Sequence, residues 1–194
     1  MTHRPEEPDT SHGLLSRVRR DSADGWSRFV QIYSPLVLYW AKRAGLQDTD
    51  AHDVTQNVFR SVMRAVNRYE RRTESTFRAW LWTISRNEIR GWYRSQQKEP
   101  LATGGSENRF DQVPAWIESD EIPDEPNVRA ELIQRAAQAI QGDFQQHTWQ
   151  CFWRAVVNDE SPADIASDLG ISGNAARQAK FRVIARLRDY VELD

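Results

Sequence analysis

The sequence predicts an all-α protein made of two small helical domains joined by a tether. Apolar residues recur every three or four positions through most of the 194 residues, and no stretch alternates as a half-buried strand does. The helical pattern breaks over 99–127, where glycine, proline and acidic residues gather.

Residues 1–20 open with MTHRPEEPDTSHG, a polar, Pro-containing stretch that reads as a disordered tail. It has no charged leader followed by an apolar run, so no secretory signal is expected. Nothing in the chain approaches the roughly 18 consecutive apolar residues that span a bilayer.

From Gly25, the residues Trp26, Phe29, Val30 and Tyr33 share one helical face. Pro35 either starts a new turn or kinks the helix, and Leu36, Val37 and Trp40 continue to Gly45, a plausible stop. Asp48 or Asp50 can cap a second helix in which Val54, Val58, Val62, Val66 and Tyr69 recur on one stripe. After the polar RYERRTEST, Ser75 or Thr76 can cap a third helix running to about Ser95, with Phe77, Trp80, Leu81, Ile84 and Ile89 inward. These helices, over 21–98, make the first domain. Burial at roughly 1.5 to 3 kcal/mol per large side chain can hold it without metal or disulfide.

Residues 99–127 read as an acidic linker in which Phe110, Trp116 and Ile117 are the residues able to dock. Periodicity resumes near Val128 with Leu132, Ile133, Ala136, Ala139 and Ile140, and again with Trp149, Phe152, Trp153 and Val156. The lone cysteine, Cys151, lies in WQCFW and reads as a small buried apolar residue. One cysteine excludes an internal disulfide and suits a reducing compartment.

The second domain, 128–194, ends in SPADIASDLGISGNAARQAKFRVIARLRDY. Ser161 caps a helix with Pro162 at its first position, and Ile165, Ala166 and Leu169 form its inner face. Gly170 permits a sharp turn, Ile171 plugs the angle, and Ser172 starts a helix that packs through Ala176, Ala179, Val183, Ile184 and Leu187. This is a helix-turn-helix pattern, whose second helix enters the major groove of DNA. The opposite face presents Asn174, Arg177, Gln178, Lys180, Arg182 and Arg186. Arg can bond guanine through both donors, Asn and Gln suit adenine, and the remaining cations suit phosphates.

Net charge is only -2, but its distribution is uneven. Residues 60–98 are rich in arginine, and 101–126 carry Glu107, Asp111, Glu118, Asp120, Glu121, Asp124 and Glu125 against Arg109. A basic block beside an acidic strip points to two electrostatic roles.

In order and spacing, DAHDVTQNVFRSVMRAV, TFRAWLWTISRNEIRGWYRS and the helix-turn-helix together resemble the extracytoplasmic-function (group IV) sigma factors of the sigma-70 family, from about Asp21 to Tyr190. The resemblance implies a region-2-like bundle over 21–98 and a region-4-like domain over 128–194. It implies transcription initiation on core RNA polymerase, with the β′ clamp and β flap as partners, together with promoter DNA. It also admits an anti-sigma protein as a partner, with no cofactor and no enzyme activity, in the cytoplasm. Because the chain ends just after the helix-turn-helix, no fused sensory domain is expected.

Carried over by position, Asp53, Gln56 and Asn57 lie on the polymerase-docking surface; the family usually has Glu where Asn57 stands. The resemblance places the pocket for an unstacked minus-10 base in the loop from Arg68 through Tyr69, Arg71 and Arg72 to Phe77, a loop longer than is usual. Arg86, Asn87, Arg90, Trp92, Tyr93 and Arg94 follow on the melting helix, with Trp82 nearby and Trp80 in the core. The minus-35 contacts fall to Ser172, Asn174, Arg177, Gln178, Lys180 and Arg182.

Two other readings compete. His52-Asp53 is similar to the metal-binding pair of HD-type phosphohydrolases, but His3, His12 and His147 lie in a tail and a remote helix. No phosphate loop, catalytic triad spacing or zinc signature accompanies it, so no catalytic or metal-ligating residue is assigned. The stronger rival is a helix-turn-helix regulator that binds duplex operators without polymerase.

Overall fold

The computed structural model describes residues 14–20, 23–70, 76–96, 113–119 and 121–191. Among them the chain is all-α: α1 (Leu14–Arg19), α2 (Ala23–Arg43), α3 (Asp48–Ala65), α4 (Phe77–Gln96), α5 (Ala115–Glu118), α6 (Pro126–Ile140), α7 (Gln146–Val156), α8 (Pro162–Leu169) and α9 (Gly173–Val191). Short 3-10 turns cover Val66–Arg68 and Gln141–Asp143. Two compact units divide the chain: Val30–Leu132 forms one, and Met1–Phe29 with Ile133–Asp194 the other. This partition differs from the spans 21–98 and 128–194 read from the sequence, because part of the acidic stretch folds with α4 and the start of α2 folds with the C-terminal helices.

In the unit Val30–Leu132, α2 continues through Pro35 and ends where Gly45 turns left-handed at φ +87. The Gly45 N–H returns to the Lys42 carbonyl at 2.9 Å and the Leu46 N–H to Ala41 at 3.3 Å, satisfying carbonyls the helix leaves open. Helix α3 buries Val54, Val58 and Val62 on the predicted stripe. Its cap is Gln47, in extended conformation with no side-chain bond, rather than either aspartate. Asp48 and Asp50 sit inside the first turn, where the helix dipole favours negative charge.

Helix α4 buries every fourth residue from Phe77 through Leu81, Ser85 and Ile89 to Tyr93, with Trp82 beside them. Trp80 and Ile84, expected inward, are only half-buried. Tyr33 meets Phe77 edge-on at 5.2 Å between ring centroids, and Trp40 meets Trp82 likewise at 5.1 Å. The Tyr93 hydroxyl donates to the Ala44 carbonyl, fastening the end of α4 to the end of α2.

In the other unit, α7, α8 and α9 pack on one another and α1 packs on α9. Leu14–Arg19 was expected in the disordered tail, yet it is helical because Leu14, Leu15 and Val18 find apolar cover. A Cβ at Gly25 would lie 2.8 Å from that of Arg17, so α1 and α2 can approach only over glycine. Tyr190 and Val191 close the far end of α9 in the core.

Candidate nucleic-acid and polymerase interfaces

The helix-turn-helix is built by local chemistry. The Ser161 hydroxyl accepts the Asp164 N–H at 3.2 Å, and Pro162 occupies the first turn of α8. Gly170 closes α8 at φ +64 and ψ 33, a left-handed geometry that glycine adopts without a Cβ clash. The Ile171 N–H then returns to the Ala166 carbonyl at 3.0 Å, and the Ser172 hydroxyl caps α9 by accepting the Ala175 N–H at 3.1 Å.

Cys151, Ile165, Ala166, Ala176 and Ala179 form the core between the helices, flanked by Ala155, Leu169 and Ile171. Burial pushes the Cys151 thiol above its ordinary pKa, so little nucleophilic thiolate forms. Arg154 of α7 braces the motif: Nε reaches Glu160 at 2.7 Å, and Nη2 contacts both Glu160 and Asp168, the latter at 2.6 Å. Charge-assisted bonds from Arg154 and from Asn158 hold the Glu160 carboxyl below its usual pKa.

Asn174, Arg177, Gln178 and Arg182 stand exposed on α9, and Lys180 is half-buried. Arg186 corrects the sequence reading. It is 8% exposed, donates to Asp143 at 2.8 Å, and lies over the Tyr190 ring at 5.3 Å. It braces the unit instead of facing outward. The sequence reading also missed Phe181, which is 66% exposed on the same side as Asn174, Arg177 and Gln178. Its spacing was the available signal, and an exposed aromatic there suits the methyl group of thymine.

On α4 the side chains divide by face. Phe77 and Tyr93, together with Tyr69 after the Val66–Arg68 turn, are buried, at 1%, 3% and 6% exposure, and make up core rather than a surface for DNA. Burial also raises the pKa of the Tyr93 hydroxyl. Trp82 joins them at 2%. Arg68, Asn87 and Arg94 are exposed and Trp92 is half-buried, while Arg71 and Arg72 lie outside the described residues.

Arg78, Arg86 and Arg90 face an unanticipated neighbour, the described part of the acidic stretch. Arg90 Nε reaches Glu118 Oε1 at 3.1 Å, and Nη2 reaches the other oxygen. Arg86 Nη1 donates to the Ser119 carbonyl at 2.9 Å, and Arg78 Nη2 reaches Asp124 at 2.7 Å and the Pro123 carbonyl at 2.9 Å. The Arg78 guanidinium holds the Asp124 carboxyl below its usual pKa. Ile117 is fully buried, and Trp116 stacks on Trp82 at 5.7 Å and 15° with Arg43 5.3 Å from its centre. The tether read over 99–127 is, in this part, a docked segment.

Residues 29–99, from the end of the first turns of α2 past α4, match the family model Sigma-70 region 2. The chain is 26% identical over 191 residues to RNA polymerase sigma factor CnrH of Cupriavidus metallidurans, covering 98% of this chain and 97% of that protein. It is also 26% identical over 189 residues to ECF RNA polymerase sigma factor SigE of Mycolicibacterium smegmatis, covering 96% and 70%. The chain carries a sigma-70 region 2 over residues 29–99, and along nearly its whole length it is similar to RNA polymerase sigma factors, one of them of the extracytoplasmic-function group.

A solved structure of CnrH in complex with the cytosolic domain of CnrY aligns over 92% of this chain and 95% of that chain, at 20% identity and a TM-score of 0.38. Asp53, Gln56 and Asn57 are all exposed on α3, with Arg60 donating to Asn57 Oδ1 at 2.9 Å. His52 shares that exposed face, and no group of three or more metal-ligating side chains gathers among the described residues. No helix among the described residues is long and apolar enough to cross a membrane.

Proposed function

We propose that this sigma factor docks on the β′ clamp of core RNA polymerase through the α3 face of Asp53, Gln56 and Asn57. It opens the minus-10 element with the outward side chains of α4 and reads the minus-35 element with α9, whose domain meets the β flap. Arg68, Asn87, Arg90, Trp92 and Arg94 are the proposed minus-10 contacts, with Arg86 near the strand. At the minus-35 element, Arg177, Asn174 and Gln178 read bases, while Ser172, Lys180 and Arg182 hold the backbone. The functional domains are 21–98 and 128–194. The factor performs no covalent chemistry, takes no cofactor and works in the cytoplasm, where an anti-sigma protein is a candidate restraint.

The observation that carries this reading is the sigma-70 region 2 match over residues 29–99 in a chain that also holds a helix-turn-helix. A regulator that binds duplex operators by itself has no use for the first of these. The test is to mix the purified chain with core enzyme and a matching promoter and to measure run-off transcript. Transcript that depends on the chain supports the proposal. Tight binding to duplex promoter DNA without core, and no transcript with it, would reject it.

A further inference from the structure

Between Val113 and Glu125 the sequence holds five acidic residues and no Lys or Arg. Its described residues lie along α4 in an arrangement that copies a nucleic-acid strand. The Glu118 carboxylate takes two donors of Arg90, as a phosphate would, and Asp124 takes Arg78. Arg78 and Arg90 are twelve residues apart, about 18 Å along the helix, so the acids span several nucleotides' worth of surface. Trp116 is stacked on Trp82 with a guanidinium beside it, the environment that captures an unstacked base. Buried Ile117, and the Pro123 carbonyl that accepts from Trp40 Nε1 at 3.0 Å, anchor the segment where ion pairs alone would hold it weakly.

We propose that residues 115–119 and 121–124 act as a built-in competitor for single-stranded DNA, occupying the α4 surface until a promoter strand displaces them. Trp116 takes the place of a base, and Glu118 and Asp124 take the place of phosphates. The free factor is thereby restrained from binding single strands indiscriminately. This rests on the reading of α4 as the minus-10 surface, and the test separates the two.

The measurement is fluorescence polarisation of a labelled single-stranded oligonucleotide with the full chain. Glu118→Gln with Asp124→Asn removes both clasping charges at exposed positions, so the fold should persist. Because any loss of negative charge favours DNA, the comparison is Glu121→Gln with Glu125→Gln, which changes net charge equally but leaves the arginine clasps intact. The clasp variant should bind about three- to tenfold tighter than this charge-matched control. In the unaltered chain, the Ile117 amide, bonded to the Pro114 carbonyl at 2.9 Å, should exchange faster with deuterium once the oligonucleotide binds.

Equal affinities for the two double variants would overturn the proposal. If Asn87→Ala with Arg94→Ala still weakened oligonucleotide binding and promoter melting, the α4 reading would survive that result. If the Asn87→Ala, Arg94→Ala chain bound and melted normally, the α4 reading would fall and the proposal with it.

Discussion

Arg186 and Asp143 form a two-donor ion pair: Nε and Nη2 of the arginine both reach Oδ2, at 3.1 and 2.8 Å. The pair joins α9 to the 3-10 turn after α6, with side chains 8% and 23% exposed. Asp143→Ala would strand a nearly buried cation. The expected loss is about 2 kcal/mol, less than for a fully buried pair because water reaches Asp143. Adding Arg186→Met should recover part of it, and urea unfolding followed by tryptophan fluorescence measures both.

Gly170 bears on stability and reading together. An alanine at φ +64 is strained, so Gly170→Ala should cost about 1 to 2 kcal/mol and tilt α9 relative to α8. Gly170→Asn should cost less, since asparagine tolerates the left-handed region. Thermal melts rank the variants, and footprinting of the upstream element reports the tilt.

Arg177→Ala is expected to weaken holoenzyme binding at the upstream element by about 1 to 3 kcal/mol and to relax selectivity at one base pair. Competition between promoters substituted singly in that element measures it. Uniform binding loss across all substitutions would mean Arg177 contacts phosphate only.

Phe77 and Asn87 should behave as opposites. Phe77→Ala opens a cavity under Tyr33 and Tyr69 and should cost about 3 to 5 kcal/mol in chemical denaturation. Asn87→Ala, on the exposed side of the same helix, should change stability by no more than about 0.5 kcal/mol while lowering permanganate reactivity of the melted promoter.

Acid should loosen the helix-turn-helix through Glu160. Its folded carboxyl pKa lies below the ordinary 4.5, so its stabilising effect is full above that value and is lost as pH falls through the lowered one. The melting temperature should hold from pH 7 to about pH 5 and drop below about pH 4. In Glu160→Gln the melting temperature at neutral pH should be lower and the acid drop smaller.

The parts legible in the sequence are those fixed by neighbours in the chain. Ser161, Pro162, Gly170 and Ser172 specify two caps and a turn within a dozen residues, and the fold follows them. The valine stripe of α3 is legible for the same reason. In α4 aromatics lie on several faces, so composition alone does not set which face turns inward. Trp82 is buried where Trp80 was expected, and Tyr93 is core although resemblance put it with DNA, whereas Tyr69 and Phe77, also put with DNA by resemblance, are core as their apolar spacing predicts. Arg186 looked like one more cation on a basic helix because its partner stands 43 residues away. The docking of Glu118 on Arg90 was equally hidden, since an acidic, proline-containing stretch looks like a spacer until the arginines it meets are known.

Cys151 is the chain's one sulfhydryl, and α7, α8 and α9 leave it no exposed surface. A thiol-reactive dye added to the folded protein must therefore wait for those helices to part. The speed of labelling becomes a clock for spontaneous opening of the helix-turn-helix module, read from a single atom without any engineered tag.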